Sequence, residues 1–205
     1  MRNIVVLFVL AIAYSAVRYI VFAPKNLPHL PVLVVNKGVS MAAAFCFALA
    51  FWQQWRRLRG ATGGTEPAAW FRAGIFGAIW HIPMSLAILR PGYFKEFFVT
   101  DGSRMSFNGE AVFMFGALTA GGVYLLTRQQ WTPIQRWWLS IATIAVLFSH
   151  TLCMGIARGL NINASHAYLP PMWLLSVVGI AMGMGFLLMS RPKAPADDTP
   201  KLLTD

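Results

Sequence analysis

The run AGIFGAIWHIPMSLAIL, residues 73–89, decides the fold. It carries no charged side chain. Upstream it continues through Ala69, Trp70 and Phe71, giving the ~20 mostly apolar residues needed to cross a ~30 Å hydrocarbon core. A buried helix of a soluble protein would keep a polar face, and this run has none. Five further stretches share its character. They cover about residues 3–22, 31–52, 109–127, 137–157 and 169–190, so the sequence predicts an all-α, polytopic membrane six-helix bundle over residues 1–190. The first stretch has features of a cleavable signal, with Arg2, an apolar run and small residues at Ser15 and Ala16. Its apolar character resumes past Arg18 through Tyr19-Ile20-Val21-Phe22, which favours a retained span. Residues 191–205 are polar and proline-bearing and read as a disordered cytoplasmic tail.

Composition agrees. The 205 residues are 57% hydrophobic and 12% charged, against about 25% charged in a soluble domain, and mean hydropathy is +0.57. Two cysteines exclude a disulfide scaffold. The net charge of +10 is thinly spread; its one tight run, Arg56-Arg57-Leu58-Arg59, lies between apolar stretches. A nucleic-acid binder would cluster its charge on one face, so no nucleic-acid partner is expected and the lipid bilayer is. One set of loops and ends holds ten of the 17 Lys and Arg: Arg2, Arg56, Arg57, Arg59, Arg72, Arg128, Arg136, Arg191, Lys193 and Lys201. The positive-inside rule therefore places both termini in the cytoplasm of a cell (inner) membrane protein. Trp52, Trp55, Trp70, Trp131, Trp137 and Trp138 gather at the same ends, as an interfacial belt should. There is no solenoid repeat, second domain or Gly-rich nucleotide loop.

Ionisable side chains at membrane depth are functional suspects. His81 lies in the third span and His150 in the fifth, and both spans run from inside to outside. At 1.5 Å per residue both imidazoles sit ~18–20 Å above the inner ends, in the outer half. Two histidines at one depth on two parallel helices are what the axial ligation of a single haem iron requires. The competing reading is a pair of interhelical hydrogen-bonding histidines. Zinc is disfavoured, because no carboxylate lies mid-span and neither Cys46 nor Cys153 belongs to a paired motif; both read as buried thiols.

Several outer-end cations have no obvious acidic partner: Arg18, Lys37, Arg90, Lys95 and Arg158. Arginine suits a haem propionate, and the alternative is snorkelling to lipid headgroups. For Arg90 and Lys95 snorkelling is favoured. His29 and His166 lie in outer loops, where solvation is the ordinary state. Met172, Met182, Met184 and Met189 offer thioethers for copper, but methionine in a bundle is usually packing material. Gly179-xxx-Gly183 has the spacing of close helix contact. Ser85 is one turn from His81 with no third residue to orient a nucleophilic pair.

Taken together, Val17-Arg18-Tyr19 with Val21-Phe22, Leu27-Pro28 with Asn36-Lys37, Trp80-His81-Ile82-Pro83-Met84-Ser85, Phe148-Ser149-His150 with Met154-Gly155, and Leu169-Pro170-Pro171 make the chain resemble a family. It is similar to the six-span ferric-reductase-like transmembrane domain of metalloreductases and NADPH oxidases, in a short form without a fused flavin domain. The resemblance reaches from the N-terminus to about Ser190. It implies that His81 and His150 ligate the iron of haem b. Oxidase members carry two histidines on each of these helices; here Pro67 and Arg136 stand about fourteen residues before each histidine, so the resemblance implies one haem, on the outer side. An electron from the cytoplasm then has most of ~18–20 Å to cross. With no nucleotide-binding motif in the chain, a separate flavoprotein reductase or a quinone donor is expected. A bis-histidine iron has no open position, so single-electron transfer to a metal ion or small oxidant at the outer face is the expected activity. A small transporter or channel lined by His81 and His150, with span three broken at Pro83, is the alternative. A third reading is a non-catalytic anchor subunit of a redox complex.

Overall fold

The computed structural model describes residues 1–22, 30–128, 130–156 and 169–192. Six helices carry the chain: α1 (Arg2–Ala16, continued by a π-helical turn, Val17–Val21), α2 (Leu30–Leu58), α3 (Pro67–Ile88), α4 (Phe107–Leu126), α5 (Pro133–Ile156) and α6 (Met172–Met189). Each is long and apolar enough to cross a membrane. Helices are the expected solution there, since lipid offers no partner for backbone N–H and C=O groups. The chain is thus an all-helical, multi-pass bundle. Met1 and Ser190 lie at one end, called here the terminal end; the other end is the distal end.

Local chemistry sets the boundaries. Pro67 opens α3, where its missing N–H costs nothing. At α4 the Ser106 hydroxyl accepts from Gly109 N at 3.3 Å. A capping box starts α5: Thr132 Oγ1 accepts from Gln135 N at 3.3 Å, and Gln135 Oε1 accepts from Thr132 N at 3.0 Å. Gly60, at φ 82°, turns the chain out of α2 in the left-handed region that favours glycine. α3 continues through Pro83 to Ile88, so the broken helix that a transporter would use is not present there. The 29 residues of α2 extend about 43 Å. It outruns the hydrocarbon core, which lets Arg56 and Arg59 stack over Trp52 and Trp55 at 5.1 and 4.7 Å in a lipid-headgroup setting.

α2 is the central helix and packs on α1, α3 and α6, while α5 packs on α4 and α6. Small residues allow this close approach. A Cβ on Gly77 would stand 2.9 Å from the Cβ of Ala43, and one on Gly183 would stand 2.8 Å from the Cα of Ala48. Gly179 likewise lies against the Phe45 ring, so the Gly179-xxx-Gly183 face is the α6–α2 contact. The outward surface is apolar: Val9, Leu10, Phe76, Ile79, Phe113, Leu118 and Val178 are all exposed, more than water tolerates and suited to acyl chains. Several hydroxyls bond to their own helix, as Thr143 Oγ1 does to Leu139 O at 2.7 Å and Ser190 Oγ to Phe186 O at 2.7 Å.

Between α3 and α4 the chain folds over the distal end. A 3₁₀ turn (Lys95–Phe97) leads into a short antiparallel pairing of Phe98 with Met105. The Phe94 and Phe97 rings stack at 5.2 Å and pack with Leu33, Ile88 and Val112, side chains of α2, α3 and α4. At the hairpin tip the Asp101 carboxylate accepts from Ser103 N and Oγ at 2.9 and 2.7 Å. These bonds hold its pKa below the usual carboxylate value.

Candidate functional site

The two helices that bear the intramembrane histidines do not pack along one another. α3 lies on α2, and α5 lies on α4 and α6. Helix α5 starts at Pro133, earlier than the residue 137 expected from hydropathy. Measured from their first residues, His81 and His150 therefore stand about 21 and 26 Å along their helices, and the equal spacing expected from the inner ends does not hold. His81 lies about 10 Å from Ile88, the distal end of α3.

Each imidazole is held through Nδ1. His81 Nδ1 lies 2.6 Å from Asn36 Oδ1. Asn36, on α2, is only 3% exposed, and its Nδ2 donates to Ser85 Oγ at 3.1 Å. Ser85, one helical turn beyond His81, also stands 3.2 Å from Nδ1 and 3.4 Å from Nε2. His150 Nδ1 lies 2.8 Å from the backbone oxygen of Val112 on α4. A carbonyl only accepts, so Nδ1 of His150 carries the proton and Nε2 keeps its lone pair. The ring reaches that carbonyl because residue 116 is glycine: a Cβ there would sit 3.2 Å from both Cε1 and Nδ1. Neutral imidazoles with Nδ1–H bound to oxygen and Nε2 available are the usual form of metal-ligating histidine. Among the described residues no three His, Cys, Asp or Glu side chains converge on a metal position. Two imidazoles are fewer protein donors than a zinc site takes.

The cations part company. Lys37 adjoins Asn36, with Nζ 5.1 Å from the Tyr19 ring and 5.9 Å from the Phe94 ring. Arg18 sits in the π-helical turn and is buried. Its Nη1 donates to Leu169 O, and to Pro170 O at 3.0 Å, while Tyr14 Oη donates to Pro170 O at 2.6 Å. These bonds join α1 to the segment that leads into α6. Arg90 stacks on Tyr93 at 4.8 Å. Arg158, His29 and His166 lie outside the described residues, as do Leu27-Pro28 and the tail from residue 193. Cys46 is buried and Cys153 half-buried, both as free thiols. On α6, Met172 is buried while Met182 and Met189 are exposed, so these thioethers do not gather into a copper site.

Deeper toward the terminal end, Phe47, Phe51, Phe71, Ile144 and Leu147 line a cavity of about 20 Å³. That is room for a water-sized probe, far below the volume of a macrocycle. Two partners were not singled out in the sequence. Asn36 was read only as the neighbour of Lys37, although a buried amide at membrane depth is itself a signal. Gly116 carried no signal, because its role exists only once α4 and α5 pack. No model of a known protein family matches the chain, and no curated protein matches it either, so the site is read from its own geometry and chemistry.

Proposed function

We propose that this protein is a membrane b-type cytochrome, a short relative of the ferric-reductase-like transmembrane proteins. In this reading one haem b, ligated by His81 and His150, passes single electrons to a metal ion or small oxidant at the outer face. The observation that carries the reading is the matched state of the two imidazoles. In each, Nδ1 is fixed on oxygen, by Asn36 and by the Val112 carbonyl, which leaves Nε2 as the nitrogen for a metal. Haem b supplies, when bound, a one-electron couple at an iron with no open coordination position.

The chain's own residues do the rest. Asn36, Ser85, Val112 and Gly116 orient the ligands. Lys37 places a positive charge beside the site, suited to a propionate. Phe94 and Phe97 pack across the distal end beside the site and limit water there. The terminal half of the core is filled by Phe47, Phe51, Ile144 and their neighbours, which supports one haem layer and not two. The donor must therefore be a quinol within the membrane or a separate flavoprotein reductase, and both termini are assigned to the cytoplasm by the positive-inside rule.

The test is a reduced-minus-oxidised visible spectrum of the detergent-purified protein beside His81→Ala and His150→Ala. A low-spin b-type spectrum lost in both variants is expected. A wild-type protein that stays colourless after haem supplementation would end the cytochrome reading and turn attention to transport.

A further inference from the structure

The two histidines are held by oxygen acceptors of different kinds. The Val112 carbonyl belongs to the α4 backbone, and no side-chain substitution changes its chemistry. Asn36 is a side chain, so its acceptor strength is set by one codon. It is brought from a third helix to within 2.6 Å of His81 Nδ1, and it is buried in a bundle interior where a polar group is costly unless it is used. Its amide packs on Ser85, whose Oγ stands 3.1 Å from Nδ2 and 3.3 Å from Oδ1, while Oδ1 faces the imidazole. The opposite rotamer would present N–H to Nδ1, move the ring proton to Nε2 and remove the lone pair that binds a metal.

We propose that Asn36, held by Ser85, is the positioning residue that fixes the Nδ1–H tautomer of His81 and thereby sets the electron-donating strength of Nε2, and with it the reduction potential of the site. The inference rests on the bis-histidine haem reading and deepens it. A stronger acceptor at Nδ1 makes the imidazole a better donor, and a better donor favours ferric over ferrous iron. The potential is thus tuned from α2, a helix that carries no iron ligand. Ser85 touches both the amide and the ring, 3.1 Å from Asn36 Nδ2 and 3.2 Å from His81 Nδ1.

The experiment is a spectroelectrochemical titration of the purified haem protein beside Asn36→Asp, Asn36→Leu and Ser85→Ala, with haem content measured as the pyridine haemochrome. Asn36→Asp keeps an acceptor and strengthens it. It should retain haem and move the ferric-to-ferrous ratio at fixed ambient potential about tenfold toward ferric, a fall of 59 mV for a one-electron couple. Asn36→Leu removes the acceptor and should move the ratio the other way. Ser85→Ala should follow Leu by a smaller amount. A merely structural role would lower thermal stability without ordering the midpoints in this sequence. Aspartate and leucine variants that both titrate at the wild-type midpoint overturn the proposal while leaving the cytochrome reading intact. If leucine loses the haem, the aspartate midpoint alone decides. A wild-type protein without a b-type spectrum overturns both.

Discussion

Replacing Gly116 by alanine tests the site from the side that the sequence did not reveal. The added Cβ would stand 3.2 Å from Cε1 and Nδ1 of His150, a few tenths of an ångström inside ordinary contact. The ring must retreat, and its 2.8 Å bond to the Val112 carbonyl lengthens. An intact bond of this kind contributes about 0.5–1.5 kcal/mol. Weakening such a partner of a metal-ligating histidine typically costs about 10–100-fold in metal affinity, or about 1.4–2.8 kcal/mol. Alanine also gains about 0.5–1 kcal/mol over glycine within a helix. Overall stability should therefore move little while haem affinity falls tenfold or more. Gly121→Ala on the same helix is the control, since nothing lies within 4 Å of a Cβ there. It should raise Tm slightly and leave haem binding alone. The assay is haem titration of the apoprotein in detergent, with Tm measured in parallel. Wild-type haem affinity with an unchanged low-spin spectrum in Gly116→Ala would refute the reasoning, because an axial ligand cannot be displaced without consequence.

Three further outcomes are expected. Arg18→Leu removes a buried guanidinium from two backbone carbonyls and should cost on the order of 2 kcal/mol, read as a fall in Tm with the haem midpoint unmoved; a shifted midpoint at unchanged Tm would place Arg18 at the haem instead. Gly183→Val drives a side chain against the Cα of Ala48 and should cost about 1–3 kcal/mol by forcing α6 from α2, whereas Gly185→Ala, with nothing within 4 Å of its added Cβ, should be neutral in the same melt. In a Cys46→Ala, Cys153→Ala background, Thr100→Cys should react with a membrane-impermeant thiol reagent in intact cells and Thr62→Cys only after permeabilisation; the reverse pattern would overturn the assigned orientation.

The sequence by itself determined the six spans, because hydrocarbon thickness and backbone hydrogen bonding leave one economical solution for runs such as residues 73–89. It marked the Gly179-xxx-Gly183 face as well, since close helix contact selects small residues at that spacing. It also brought His81 and His150 forward, because an imidazole at membrane depth stands out against an apolar background. It did not show where the helices start. Thr132 and Gln135 cap α5 ahead of its apolar run, which puts His150 further along its helix than His81 is along α3 when both are measured from their first residues. Nor did it show the partners of the site. Arg18 is equally well spaced for a propionate or for a backbone carbonyl, and only the π-helical turn with the packing of residues 169–170 against α1 turned it to the carbonyls. Asn36 and Gly116 lie on helices that bear neither histidine. Their roles arise from contacts across helix pairs, which tertiary packing sets and hydropathy does not encode.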